Sequence, residues 1–259
     1  MCLIALAWRC HPRFDAVLVT NRDEFHARPT TPAQAWEAVP PVVGGRDLEK
    51  GGSWLLASPA SRFVAVTNVR VGGVPESAAR SRGALVDGFA RSPLPVAGFL
   101  AGLAPDAADY GRFNLLLCAG GELHYASNHP HYRTQVLAPG VHAVSNGDLD
   151  APWPKTQRLR AALAQWLASE ASRSDEPDFS LLWTALADPQ PAEDAMLPDT
   201  GVGIELERHL SSPFIVGDHY GTRASSLLLV GGGEGRLLER RFGPHGVPTG
   251  GSDLRFPWR

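Results

Sequence analysis

Cysteine is scarce in this chain of 259 residues, and neither sign of charge is in large excess. The three cysteines, Cys2, Cys10 and Cys118, form no CxxC spacing and no even-numbered framework. That excludes a disulfide-stapled secreted domain and points to a reducing, cytoplasmic setting. A net charge of -3, from 24 basic and 27 acidic residues, removes the basic surplus that a nucleic-acid-binding protein needs. No stretch approaches the roughly 20 apolar residues of a bilayer-spanning helix, so no transmembrane segment is expected. The start also lacks a signal peptide's basic region followed by a long apolar stretch. HExxH is absent, and His129-Pro130-His131 is too tight for common zinc spacing, so no metal centre is expected. Gly231 to Gly233 run into Glu234 and an apolar strand, which makes them a turn and not a phosphate cradle.

What is present is an ordinary globular composition, 44% hydrophobic and 20% charged. Short aliphatic runs recur as candidate hairpins. CLIALAW (Cys2 to Trp8) pairs with AVLVTN (Ala16 to Asn21), whose strand ends at NRDEF. SWLLAS (Ser53 to Ser58) pairs with FVAVTN (Phe63 to Asn68), and LLLCA pairs with ELHYAS across Gly120-Gly121. VHAVSN (Val141 to Asn146) adds a strand, and SSLLLV with GRLLERRF closes the series. Helical spacing marks Arg82 to Ala90, Pro95 to Leu103, Lys155 to Ala168, Phe179 to Ala187 and Gly203 to Leu210. In the longest of these Leu159, Ala162, Leu163, Trp166 and Leu167 share one face, which predicts inward packing. Hairpin-delivered strands with helices in separate blocks predict an α+β fold of stacked sheets flanked by helices. The Pro- and Gly-rich stretches, Pro40 to Gly52, Ser172 to Pro177, Asp188 to Gly203 and Gly243 to Gly251, separate no two cores. A single domain over residues 1–259 is expected, with Asp188 to Gly203 as a surface excursion. Trp36, Trp54, Trp153 and Trp183 read as core residues and not as a ligand cage.

Chemistry concentrates at the first strand and at strand ends. Cys2 follows the initiator methionine, so removal of Met1 would put a thiol and a free α-amine on one residue. Their ordinary pKa values, about 8.5 and roughly 7.7–8.0, are close enough for easy proton exchange. Position alone also suits a small buried hydrophobe. Three apolar strands end on asparagine, at Asn21, Asn68 and Asn146, where a side chain is held firmly yet opens to a cleft. NRDEF packs Asn21, Arg22, Asp23 and Glu24 behind one strand. Alternation sends Arg22 and Asp23 to opposite faces if that strand continues. The aspartate could then hold an α-ammonium, while the arginine favours thiolate or a substrate anion. Tyr220-Gly221-Thr222-Arg223 brings a further arginine to the start of the last hairpin.

These segments, with GGSWLLAS (Gly51 to Ser58), SRG (Ser81 to Gly83), FNLLL (Phe113 to Leu117) and SNGDLDAPWPK (Ser145 to Lys155), resemble the NRDE family. It is also called the transport-and-Golgi-organisation type two family, and the resemblance spans nearly the whole chain. It implies an N-terminal nucleophile (Ntn) hydrolase-like, four-layer αββα sandwich of two mostly antiparallel sheets. The nearest mechanistic relatives it implies are conjugated bile-acid hydrolases and penicillin V acylases, which begin Met-Cys and cleave amides. By that resemblance Cys2 matches the nucleophile and Asp23 the aspartate that holds the amine. Asn68 matches an oxyanion-hole position, Asn146 the second asparagine and Arg223 an arginine near the nucleophile. The acylases carry an arginine three residues before their aspartate, where this chain has Thr20; here Arg22 directly precedes Asp23.

The expected activity is hydrolysis of a linear amide C–N bond through a Cys2 thioester, with a small-molecule amide or acyl substrate and no required cofactor. The alternative is a non-catalytic haem or acyl-lipid binding or trafficking protein on the same fold, for which His26, His129 and His131 are candidate haem ligands.

Overall fold

The computed structural model describes residues 2–72, Glu76 and residues 78–259. The first hairpin forms as its sequence predicts, β1 (Cys2–Trp8) against β2 (Ala16–Phe25), with β2 running on through NRDEF. β3 (Thr30–Ala35), β4 (Val43–Asp47), β5 (Leu55–Ser58) and β6 (Arg62–Asn68) follow. The helices α1 (Arg82–Ala90) and α2 (Val96–Leu103) precede β7 (Phe113–Ala119), β8 (Glu122–Ser127), β9 (Arg133–Val136) and β10 (Gly140–Val144). Four helices come next, α3 (Pro154–Ala168), α4 (Glu170–Arg173), α5 (Ser180–Leu186) and α6 (Ile204–His209). The chain closes with β11 (Tyr220–Gly231), β12 (Glu234–Phe242) and β13 (Pro248–Pro257).

The strands assemble into two antiparallel sheets, ordered β10-β1-β2-β11-β12-β13 and β3-β4-β5-β6-β7-β8-β9. Alternation along each central strand explains why its sequence is apolar throughout: both faces are covered. From the first sheet Ile4, Leu6, Trp8 and Leu18 turn inward against Leu55, Ala57, Phe63, Ala65 and Leu116 of the second. Their sequence neighbours Leu3, Ala5, Val17 and Val19 turn outward onto Leu159, Leu163 and Trp166 of α3 and Leu182 and Leu186 of α5. On the far side Leu56, Val64, Leu115 and Leu117 bury Leu85, Val86, Phe89, Leu100 and Leu103 of α1 and α2. Three apolar interfaces between four layers make the αββα sandwich, and the expected α+β class holds.

Four strands lie where loops or no regular structure were expected, β3, β4, β9 and β13, and three of them are sheet edges. Edge strands tolerate Pro, Gly and polar side chains because one hydrogen-bonding rim and much of the surface meet solvent. β3 carries Pro32 inside a register shift between Thr31 and Gln34. β13 holds Gly250 and Gly251 opposite Arg241 and Arg240. In β4, Gly45 leaves room for the Trp54 ring, which a Cβ there would meet at 2.3 Å. The Asp188 to Gly203 excursion forms no strand, yet it folds back on the sandwich: the Gly72 amide donates to the Thr200 carbonyl at 2.6 Å.

Candidate active site

β1 and β2 register with Cys2 opposite Arg22, so the thiol and the guanidinium share the face between the sheets. Asp23, one residue on, belongs to the helix-facing side. Cys2, Arg22, Asp23 and Glu24 line one cavity of about 350 Å³ together with Lys50, Ser53, Trp54, Asn68, Arg80 and Arg82. The guanidinium of Arg22 stacks over the Trp54 ring, 4.2 Å from its centroid, and lies 3.8 Å from a Glu24 oxygen. Trp54, expected only as core, packs between the sheets and also walls the cavity.

The NRDE residues have separate surroundings. Asn21 is completely buried; its Nδ2 donates to the Leu186 and Pro213 carbonyls at 2.7 and 2.8 Å, and its Oδ1 accepts from Ser225 Oγ at 2.6 Å. It therefore ties α5 and the approach to β11 onto the sheet. Asp23 Oδ1 accepts from Thr222 Oγ1 at 2.7 Å. Burial pushes the Asp23 carboxyl up, against the pull of the buried Lys155 ammonium and of the Thr222 hydrogen bond. Burial likewise raises the Cys2 thiol, the Asp23 charge adding to the rise and Arg22 opposing it. Glu24 lies 3.8 Å from both Arg22 and Arg28.

Asn68 and Asn146 meet directly. Asn146 Nδ2 donates to the Asn68 Oδ1 and carbonyl oxygens at 2.9 and 3.1 Å. Asn146 is fully buried and does not line the cavity, whereas Asn68 does. Ser145, beside it, donates from Oγ to the Cys2 carbonyl at 2.9 Å and so ties β10's end to the residue bearing the thiol. Asn114, buried on β7, completes this layer by donating to the Gly147 carbonyl at 2.8 Å.

Arg223 stands apart from the Cys2 cavity. It sits in the register shift of β11 between Thr222 and Ala224, and its Nη1 donates to the Phe25 and Arg28 carbonyls at 2.9 and 2.8 Å. It borders a neighbouring cavity, of about 220 Å³, that shares Arg22 and Trp54 with the first.

One buried charge at this site escaped the sequence reading. Lys155, on the first turn of α3, is 2% exposed, and its Nζ donates to the Leu210 carbonyl at 2.9 Å and approaches Asn146 Oδ1 at 3.4 Å. Desolvation pulls its pKa down to about 8. The available signal was compositional: of the chain's 24 basic residues only two are lysines, Lys50 and Lys155.

The cavity rim explains two glycine motifs. Ser81 caps α1 by accepting the Gly83 amide at 3.2 Å, and the Ser53 amide donates to the Gly83 carbonyl at 3.3 Å. Gly52 presses on Gly83 so closely that a Cβ there would lie 2.2 Å from the Gly83 carbonyl carbon. Gly51-Gly52-Ser53 and Ser81-Arg82-Gly83 are thus two halves of one contact.

Residues 1–244 match the family model described as Transport and Golgi organisation 2. The chain belongs to that family. It is 30% identical over 250 residues to the Transport and Golgi organization protein 2 homolog of Bos taurus, covering 89% of this chain and 88% of the relative. It is 29% identical to the human homolog over the same shares. Among solved structures, a variant of conjugated bile acid hydrolase from Clostridium perfringens superposes with a TM-score of 0.53 at 8% identity, covering 98% of this chain and 92% of that one. At that identity the likeness concerns the Ntn-hydrolase fold. Within this Transport and Golgi organisation 2 member, the described cavity wall contains none of the histidines expected as haem ligands. No described helix is long and apolar enough to cross a membrane.

Proposed function

We propose that this chain is a cysteine-nucleophile hydrolase of a small linear amide, with Cys2 N-terminal after loss of Met1. The observation that carries the reading is the common cavity of Cys2, Asp23 and Asn68, with Arg22 directly across the strand pair from Cys2. The Cys2 α-amine takes the thiol proton, and the thiolate attacks the substrate carbonyl carbon. Collapse of the tetrahedral intermediate breaks the C–N bond, leaves an S-acyl thioester and passes the proton to the departing amine. Water, deprotonated by the same α-amine, then cleaves the thioester and restores the thiol. Asp23 would hold the ammonium form of that amine. Asn68 would face the oxyanion with Asn146 bracing it, a contribution of about 2.7–4 kcal/mol for one donor.

Arg22 occupies the same face of β2 as Thr20, one pleat nearer the strand end, because side chains two residues apart share a face. In this chain Arg22 stands opposite Cys2, whereas Thr20 stands opposite Ile4. The haem-carrier reading finds no histidine on the described cavity wall to support it.

Intact-mass spectrometry should show loss of one methionine from the purified protein. Against a panel of acyl amides, Cys2→Ala should abolish turnover while leaving the melting temperature unchanged. Retained turnover in that variant overturns the mechanism.

A further inference from the structure

The strand register puts a second cation on the row of residues that begins at Cys2. Cys2 stands opposite Arg22, Arg22 opposite Ala224, Ala224 opposite Arg241 and Arg241 opposite Gly250, across β1, β2, β11, β12 and β13. Residues directly opposite one another share a face, so both arginines project from the same side of the sheet with an alanine between them. At ordinary strand spacing their Cα atoms are roughly 10 Å apart. A methyl group cannot fill such a gap.

The space is the cavity of about 220 Å³ beside the Cys2 cavity, walled by Arg22, Arg223 and Arg241 and by a single carboxylate, Glu239. The three guanidinium groups differ in what already holds them. Arg223 is anchored through Nη1 on the Phe25 and Arg28 carbonyls, and its Nη2 reaches Thr30 Oγ1 at 3.4 Å. Arg241 Nη1 lies 3.7 Å from Glu239 Oε1, an oxygen that also accepts the Ala33 amide at 2.9 Å. Gly250 leaves room for the Arg241 head: a Cβ there would meet Nη2 at 2.5 Å.

Arg22 is the least satisfied of the three. It is 6% exposed and stacks on Trp54, and its ion pair with Glu24 spans 3.8 Å; among the described residues its guanidinium has no hydrogen-bond acceptor. A guanidinium carries five N–H donors, and one so enclosed has little water to satisfy them. An oxyanion in the adjoining space supplies the acceptors. Three positive groups against one carboxylate leave a surplus of two charges on this wall, and the hydroxyl-bearing Thr30 and Thr249 add neutral donors. That combination suits a dianion bound through planar, charge-assisted hydrogen bonds.

We propose that the cavity between Arg22, Arg223 and Arg241 is a binding site for a doubly charged oxyanion of the phosphate class, sharing only the Arg22–Trp54 stack with the Cys2 cavity. The site stands on its own geometry, whether or not Cys2 is a nucleophile.

Isothermal titration calorimetry of the full chain tests it, with inorganic phosphate at constant ionic strength and a mildly alkaline pH that keeps the ion a dianion. The native chain should show saturable binding with a Kd near or below about 1 mM, and acetate, with one charge, should bind about tenfold more weakly. Arg241→Gln should weaken phosphate binding about tenfold, the effect of losing one charged hydrogen-bond partner. Lys50→Gln removes a cation from the Cys2 cavity wall and should leave the affinity unchanged. Methyl phosphate tells the source of the group: affinity equal to that of phosphate assigns the site to the phosphate end of a larger molecule, and exclusion of the ester assigns it to the free ion.

No saturable phosphate binding overturns the proposal, and so does acetate bound as tightly as phosphate. Undiminished binding in folded Arg241→Gln, or a larger loss in Lys50→Gln than in Arg241→Gln, overturns it as well, because the ion would then lie elsewhere. If Arg241→Gln does not fold, Arg241→Lys keeps the charge and loses the planar fork; it should weaken binding about threefold, and native affinity in that variant overturns the proposal instead. The titration involves no turnover, so its failure is distinct from a failure of the hydrolase reading.

Discussion

Within the NRDE segment four adjacent polar residues serve different faces of one strand, and the consequences of changing them should differ accordingly. Asn21 touches nothing in the cavity; its three hydrogen bonds join the sheet to α5 and to the chain entering β11. Asn21→Ala would strand the Leu186 and Pro213 carbonyls in a dry interior, so it should cost about 3 kcal/mol in urea unfolding. A loss below half that would mean the segment relaxes enough to find other donors. Asp23 and Arg22 point to opposite faces as alternation requires. Asn21 could not be distinguished from a turn-forming asparagine by sequence, because its partners lie more than 160 residues away. Lys155 was obscure for a related reason: a lysine on the first turn of a helix ordinarily reaches solvent, and only the packing of α3 against β1 and α6 encloses it.

Among the elements, legibility followed burial. The central strands β1, β2, β6 and β7 are apolar on both faces, and their aliphatic runs coincide with the observed strands to within a few residues. Helix α1 matches its expected range, Arg82–Ala90, because its apolar spacing covers one face of the second sheet. The strands that escaped are mainly edges, where polar side chains and glycine carry no periodic signal. Between elements, the tight contact of the β4–β5 loop with α1 holds the cavity rim. Gly52→Ala would drive a Cβ into Gly83 backbone, so it should destabilise by about 1–3 kcal/mol. Differential scanning calorimetry should register about 2–4 °C for each kcal/mol in a chain of this size. An unchanged melting temperature would show that the rim yields freely.

At the scale of the whole molecule, the buried lysine should leave its mark on the stability curve. Its folded pKa of about 8 lies below the 10.5 of an ordinary lysine, so below pH 8 both states carry the proton and the full desolvation penalty is present. Between pH 8 and 10.5 the unfolded chain binds more protons than the native one, and stability from this group rises with pH, by about 3 kcal/mol in all. Comparing urea midpoints of the native chain and Lys155→Met across that window isolates the contribution; a difference that stays flat with pH would refute it. Asp23 and Asn68 were legible as candidate site residues because they close apolar runs, Cys2 because it follows the initiator methionine, and family resemblance joined them. Arg223 and Asn146 were legible as polar positions, yet not their orientation: one hydrogen-bonds to backbone carbonyls beside a separate cavity and the other donates to Asn68, which lines the Cys2 cavity. The sequence by itself determined the layered α+β class, through doubly apolar strands and one-sided helices, and it determined which polar residues stand at the strand ends. Only the tertiary structure decided which of these meet, because strand register sets Cys2 against Arg22 and the closure of α3 and α6 over the sheet turns an ordinary lysine into a buried charge.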